Sequence, residues 1–116
     1  MTNGGIRVTW VPGGGRGLGE AGAEALAADG WTVVVSGRRK DALDAVVEKI
    51  EKRGGKAEAV RLDVSVAAEV ENATAQVLGR HGRIDLLVNS AGVNVPKRRW
   101  ADMELEGWNK LVDINL

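Results

Sequence analysis

The sequence predicts an α/β fold, a doubly wound parallel sheet with helices on both faces. Three observations predict it: short β-branched apolar runs alternate with amphipathic stretches, the connections between them are short, and a glycine cluster joins the first run to the first helix. Residues 6–11 read as a short buried strand that enters Pro12-Gly13-Gly14-Gly15-Arg16-Gly17-Leu18-Gly19. The alanine-rich stretch 20–29 follows as a helix, closed by Gly30. Residues 32–36, with consecutive valines, have the composition of a strand covered on both faces. Residues 41–53 place Leu43, Val46, Val47 and Ile50 on one apolar stripe, a helix that Gly54-Gly55 stops. Residues 57–62 form a third strand, residues 66–80 a helix with Val66, Val70, Ala73 and Val77 inward, and residues 84–88 a fourth strand. The order is βαβαβαβ, and short loops then require right-handed crossovers between parallel strands.

The remainder is less regular. Residues 91–99 read as a loop broken by Pro96, and residues 102–116 as a partial helix with Trp108, Leu111 and Val112 on one side. The expected sheet is therefore incomplete, with about four strands, and leaves residues 84–88 as an apolar edge with unpaired backbone groups. More chain, or a second chain, is expected beside that edge, and the 116 residues alone are expected to self-associate. No internal repeat or second domain is visible, and residues 1–116 read as one domain.

Composition excludes several classes of function. Basic and acidic residues balance at 16 each, so no overall field favours nucleic acid or an anionic membrane. With no cysteine and a single histidine, His81, neither a disulfide framework nor a clustered metal site is expected. No run approaches the roughly 18 apolar residues of a membrane span, and a cytoplasmic setting is expected. His81 reads as a solvent-facing residue near a helix end. The tryptophans at positions 10, 31, 100 and 108 are too scattered for an aromatic strip and read as packing residues.

The glycine cluster is the first candidate site. Between a strand and a helix, Gly13, Gly17 and Gly19 suit a phosphate-binding turn: one adopts a backbone conformation costly for other residues, while the others admit a pyrophosphate and let helix pack on strand. The helix starting near Gly17 then points free N–H groups and its positive dipole end at the phosphates. A flexible glycine loop is the bland alternative. A G-x-G-x-x-G pattern at Gly17, Gly19 and Gly22 lies inside the expected helix and is discounted.

Where NAD-selective sites place an acidic residue after the second strand, this chain has Gly37-Arg38-Arg39. Arg38 offers a fork of donors for a ribose 2′-phosphate, and Arg16 could reach the same group from the glycine loop. One charge-assisted bond from each, at about 1.5 kcal/mol, would favour NADP over NAD by roughly 3 kcal/mol, about a hundredfold. The alternative is that Arg38, Arg39 and Lys40 only solvate a helix start. Asp63, at the end of the third strand, could accept from an adenine amino group or cap the helix beginning near Ser65.

With these residues assembled, the sequence resembles the short-chain dehydrogenase/reductase family along its length, and the expected fold becomes Rossmann-type. The family's T-G-x-x-x-G-x-G pattern is matched from Pro12 to Gly19, with Gly13, Gly15, Arg16, Gly17 and Leu18 around the turn. Its adenine-contacting acidic residue resembles Asp63, followed by Val64. Its N-N-A-G motif is matched by Asn89-Ser90-Ala91-Gly92, and its active-site asparagine by Asn115 in Val-Asp-Ile-Asn-Leu. Pro12 in place of threonine removes a hydroxyl and an N–H, and Ser90 replaces the second asparagine. The resemblance implies a nicotinamide dinucleotide, a small carbonyl or alcohol substrate, a homo-oligomer, and a proton relay supported by Asn115. It also implies a serine, a tyrosine and a lysine that complete the chemistry, yet the 116 residues contain no tyrosine, so residues 1–116 are expected to be the amino-terminal portion of the domain, with the catalytic and substrate portion absent. A non-catalytic nucleotide-binding or interaction module, using its open fourth strand, is the alternative.

Overall fold

The computed structural model describes residues 6–15, 17–63, 65–89 and 108–115, the last by backbone path. The elements run β1 (Val8–Pro12), α1 (Gly17–Ala28), β2 (Thr32–Gly37), α2 (Lys40–Lys52), β3 (Lys56–Arg61), α3 (Ala67–His81), β4 (Ile84–Asn89) and β5 (Trp108–Asn115). They build one parallel sheet in the order β3-β2-β1-β4-β5.

β1 is buried throughout and β2 along its valines, because each sheet face is covered. On one face Trp10, Val34, Val60, Leu62 and Leu87 pack with Val70, Ala73, Val77 and Leu78 of α3. On the other, Val11, Val33 and Val35 pack with Ala23 and Ala27 of α1 and with Leu43, Val46 and Ile50 of α2. The α2 stripe is thus where its spacing puts it. Val66 is the exception in α3: it is the N-cap residue, 40% exposed, and starts the helix rather than facing the core.

The tail departs from expectation. Residues 108–115 are not helical but form β5, parallel to β4 and in register from Leu86↔Val112 to Asn89↔Asn115 after a shift near the start. The backbone groups of β4 that would have been left open explain the difference, since a paired strand satisfies them and a helix there would not. Among the described residues the sheet therefore has five strands, with β3 and β5 at its edges. The expectation of an uncovered β4 is overturned.

β1 is locked to β4 by side chains as well as by pairing. The Val8 N–H donates to Asp85 Oδ2 at 2.9 Å, and Thr9 Oγ1 donates to the Leu86 carbonyl at 3.1 Å. Arg83 holds Asp85 with both arms of its guanidinium, at 2.6 and 2.8 Å. His81 is not the solvent-facing residue expected. It ends α3 half-buried against Glu58 of β3, which also pairs with Arg80.

Candidate functional site

Parallel strands end together, so the sheet gathers its carboxyl-terminal residues along one edge. Gly13 to Gly15 follow β1, Arg38 follows β2, Asp63 follows β3, Asn89 closes β4 and Asn115 closes β5. From β1 the chain winds outward to β2 and β3, then returns to the other side for β4 and β5. The β1/β4 junction is therefore the switch point of the sheet, where loops part and leave a crevice at the strand ends. The glycine turn sits on it.

Two glycines of that turn are required by geometry. Gly13 has φ +82°, a left-handed conformation that side chains resist. A Cβ on Gly14 would lie 2.8 Å from Val35 Cγ1 and 2.9 Å from the Val11 carbonyl oxygen, so the turn lies directly on β2. Its N–H groups hold it there: Gly13 donates to the Ser36 carbonyl at 2.6 Å, and Gly14 to Val11 at 3.0 Å and Ser36 at 3.3 Å. Sequence reasoning missed Ser36, because a backbone acceptor has no residue signature.

α1 begins at Gly17, as expected, and the discounted pattern at Gly17, Gly19 and Gly22 lies within it. Gly19, Ala23 and Ala27 are its buried residues, a small-residue face that lets the helix approach the sheet closely. Outward, a Cβ at Gly17 would meet nothing within 4 Å, and Leu18 is 69% exposed, so among the described residues the helix start is uncovered. The first-turn acid, Glu20, is engaged by Lys49 of α2 at 2.7 Å.

After β2 the three basic residues divide. Arg39 pairs with Asp41 at 3.2 Å and Lys40 with Asp44 at 2.8 Å, both on the exposed start of α2. Arg38 is exposed and has no carboxylate in contact among the described residues. Asp63 organises the approach to α3 without capping it: its Oδ1 accepts from Ser65 Oγ at 2.6 Å and from the Ser65 N–H at 3.0 Å, while the helix starts at Ala67. The Ser65 hydroxyl and N–H hold the Asp63 carboxyl below the usual carboxylate range, and the charges of Arg38 and Arg61 add to the effect. Glu69, which the sequence reading passed over, accepts from the Asp63 N–H at 2.9 Å. Its signal was an acid in the first turn of a helix. Asn89 is 6% exposed, and its Cα pairs with that of Asn115, which lies on a strand and not on the expected helix. Arg16, Val64, Ser90, Ala91 and Gly92 lie outside the described residues. Among the described residues no group of three His, Cys, Asp or Glu side chains could hold a metal ion, and no helix is long and apolar enough to cross a membrane.

The model of the short chain dehydrogenase family matches residues 7–116. The chain belongs to the short chain dehydrogenase family. Among relatives, the short-chain reductase protein NovJ of Streptomyces niveus is 42% identical over 109 residues, 94% of this chain and 41% of NovJ. A 3-oxoacyl-[acyl-carrier-protein] reductase of Synechocystis sp. is 42% identical over 111 residues, 95% of this chain and 44% of that reductase. This short chain dehydrogenase chain thus spans less than half the length of these curated relatives. Among solved structures, a metagenomic short-chain oxidoreductase in complex with NADP superimposes with a TM-score of 0.73 at 40% identity, covering 75% of this chain and 39% of the other. An alcohol dehydrogenase of Thermococcus sibiricus complexed with 5-hydroxy-NADP gives 0.68 at 36% identity, covering 71% and 35%.

Proposed function

We propose that this chain is the cofactor-binding portion of an NADP(H)-dependent oxidoreductase that interconverts a carbonyl and an alcohol. One observation carries the proposal: an open glycine turn at the β1/β4 switch point stands beside a β2 end that offers a free guanidinium where a carboxylate would select NAD. The turn fits a pyrophosphate, since Gly13 and Gly14 are drawn back onto β2 while the α1 start stays uncovered. NADP, when bound, supplies the hydride, and the protein supplies binding and orientation.

Each residue then has a task. Gly13, Gly15, Gly17 and Gly19 shape the cradle, and Leu18 covers the dinucleotide with apolar surface. Arg38 and Arg16 grip the 2′-phosphate. Asp63, whose bonds from Ser65 both go to Oδ1, accepts from the adenine amino group, with Val64 beside it. Asn89, Ala91 and Gly92 border the passage toward the nicotinamide, and Asn115 supports proton relay through water. The proton exchange itself needs a tyrosine, which these 116 residues lack, so by themselves they bind without turnover. The domain is accordingly the amino-terminal portion of a single Rossmann-type unit, in a cytoplasmic homo-oligomer acting on a small substrate. The alternative of an interaction module that uses an open fourth strand loses that surface, because β5 pairs with β4.

Titration calorimetry with NADP and NAD tests the binding claim, and NADPH oxidation against a panel of ketones by the full-length protein tests the reaction. Uptake of neither nucleotide would sink the proposal.

A further inference from the structure

The loop after β3 holds Asp63 by its backbone and its side chain together. Arg61 ends the strand, and the Leu62 N–H still donates across to the Gly37 carbonyl at 2.9 Å, so Asp63 is where the chain leaves the sheet. The Asp63 N–H donates to Glu69 Oε1 at 2.9 Å, and its carbonyl accepts from the Val66 N–H at 3.0 Å. Its Oδ1 accepts from the Ser65 hydroxyl at 2.6 Å and from the Ser65 N–H at 3.0 Å. Glu69 departs here from the usual behaviour of an acid in a first helical turn. With Val66 as the N-cap of α3, Glu69 is the third helical residue, from which a carboxylate ordinarily reaches back to the N-cap N–H. That N–H is already engaged by the Asp63 carbonyl, and Glu69 reaches past it to Asp63 itself. Its bond therefore anchors the Asp63 loop rather than the end of the helix.

Oδ2 of Asp63 is left over. Among the described residues it accepts no hydrogen bond and joins no ion pair. The Ser65 donors hold the carboxyl ionised, below the usual carboxylate range, and an ionised carboxylate can only accept. With backbone and side chain both tied, Oδ2 is presented in advance to a group that donates, and little freedom is lost when one arrives. A 6-aminopurine offers such a donor, whereas a 6-oxopurine offers a carbonyl oxygen that a carboxylate repels. We infer that Glu69 and Ser65 are positioning residues for base selection: by fixing Asp63 they aim Oδ2 so that the nucleotide site takes a 6-aminopurine and rejects a 6-oxopurine. This rests on the reading of Asp63 as the adenine acceptor and adds the two residues that make it selective.

Calorimetry of the full-length protein with NADP and with its hypoxanthine analogue, in which a carbonyl replaces the 6-amino group, is the test. The parent should prefer NADP about tenfold, the worth of one hydrogen bond to a charged group. Glu69→Ala and Ser65→Ala should each cut that preference to about threefold or less. Glu69→Gln, which keeps an oxygen acceptor for the Asp63 N–H, should retain most of it. Alanine variants that keep the parent's preference overturn the inference, whether or not both nucleotides bind more weakly, since a merely structural role moves the two affinities together. Should Glu69→Ala fail to fold, Ser65→Ala, which leaves the backbone bonds in place, decides. A parent that binds both nucleotides equally overturns the adenine reading of Asp63 as well, and one that binds neither overturns the dinucleotide reading itself.

Discussion

The indole N–H of Trp10 donates to Ser36 Oγ at 2.7 Å, with both residues fully buried. The same serine presents its carbonyl to the N–H groups of Gly13 and Gly14. One residue of β2 therefore joins the packed core to the turn at the switch point. Ser36→Ala removes the side-chain acceptor and is expected to cost about 1–3 kcal/mol. Urea unfolding should show a lower midpoint at an unchanged m-value; an unmoved midpoint would mean that the indole bond contributes nothing net.

Gly14 and Gly22 should respond oppositely to alanine. At Gly14 the added methyl meets Val35 and the Val11 carbonyl inside normal contact distance, so about 1–3 kcal/mol of stability should be lost. At Gly22, inside α1, nothing lies within 4 Å, and alanine should stabilise the helix by about 0.5–1 kcal/mol. Thermal melts of the two variants, run side by side, decide the matter; a stabilised Gly14→Ala would show that the turn does not lie against β2.

Arg38→Asp places a carboxylate where the 2′-phosphate is proposed to sit. It should lower NADP affinity at least about tenfold and raise that of NAD, reversing the preference. Equal NADP affinity in the variant and the parent, measured by calorimetry, would remove Arg38 from the site.

Asp63 gives stability a dependence on acid. Its carboxyl is held below the usual range, first by the Ser65 hydroxyl and N–H, then by Arg38 and Arg61. A depressed folded-state value stabilises the fold above the ordinary aspartate range near 4, and that contribution fades as pH falls through the lower folded value. Asp63→Asn should therefore narrow the stability difference between pH 7 and pH 3. Identical urea midpoints shifts for parent and variant across that interval would count against it.

Much of this architecture was legible because it is local. The valines of β2, the stripe Leu43, Val46 and Ile50, and the glycines after β1 each carry their signal within a few residues. β5 was not legible: Trp108, Leu111 and Val112 have helical spacing, and only pairing with β4, more than twenty residues earlier, makes the stretch a strand. His81 was misread for the same reason, since Glu58 is 23 residues away. At the site, the glycine turn and Arg38 were visible in sequence.

The pairing of β1 with β4 has a consequence in time. The partners Val8 and Asp85, like Thr9 and Leu86, are separated by 77 residues. Ribosomal synthesis at about 5–20 residues per second delivers the later partner on the order of ten seconds after the earlier one. Throughout that interval the opening strand has a neighbour on only one side, and the crevice beside its glycine turn has no second wall. The nucleotide capture proposed above is thus a late event in the life of the nascent chain, and the buried first strand waits through that interval for its second neighbour.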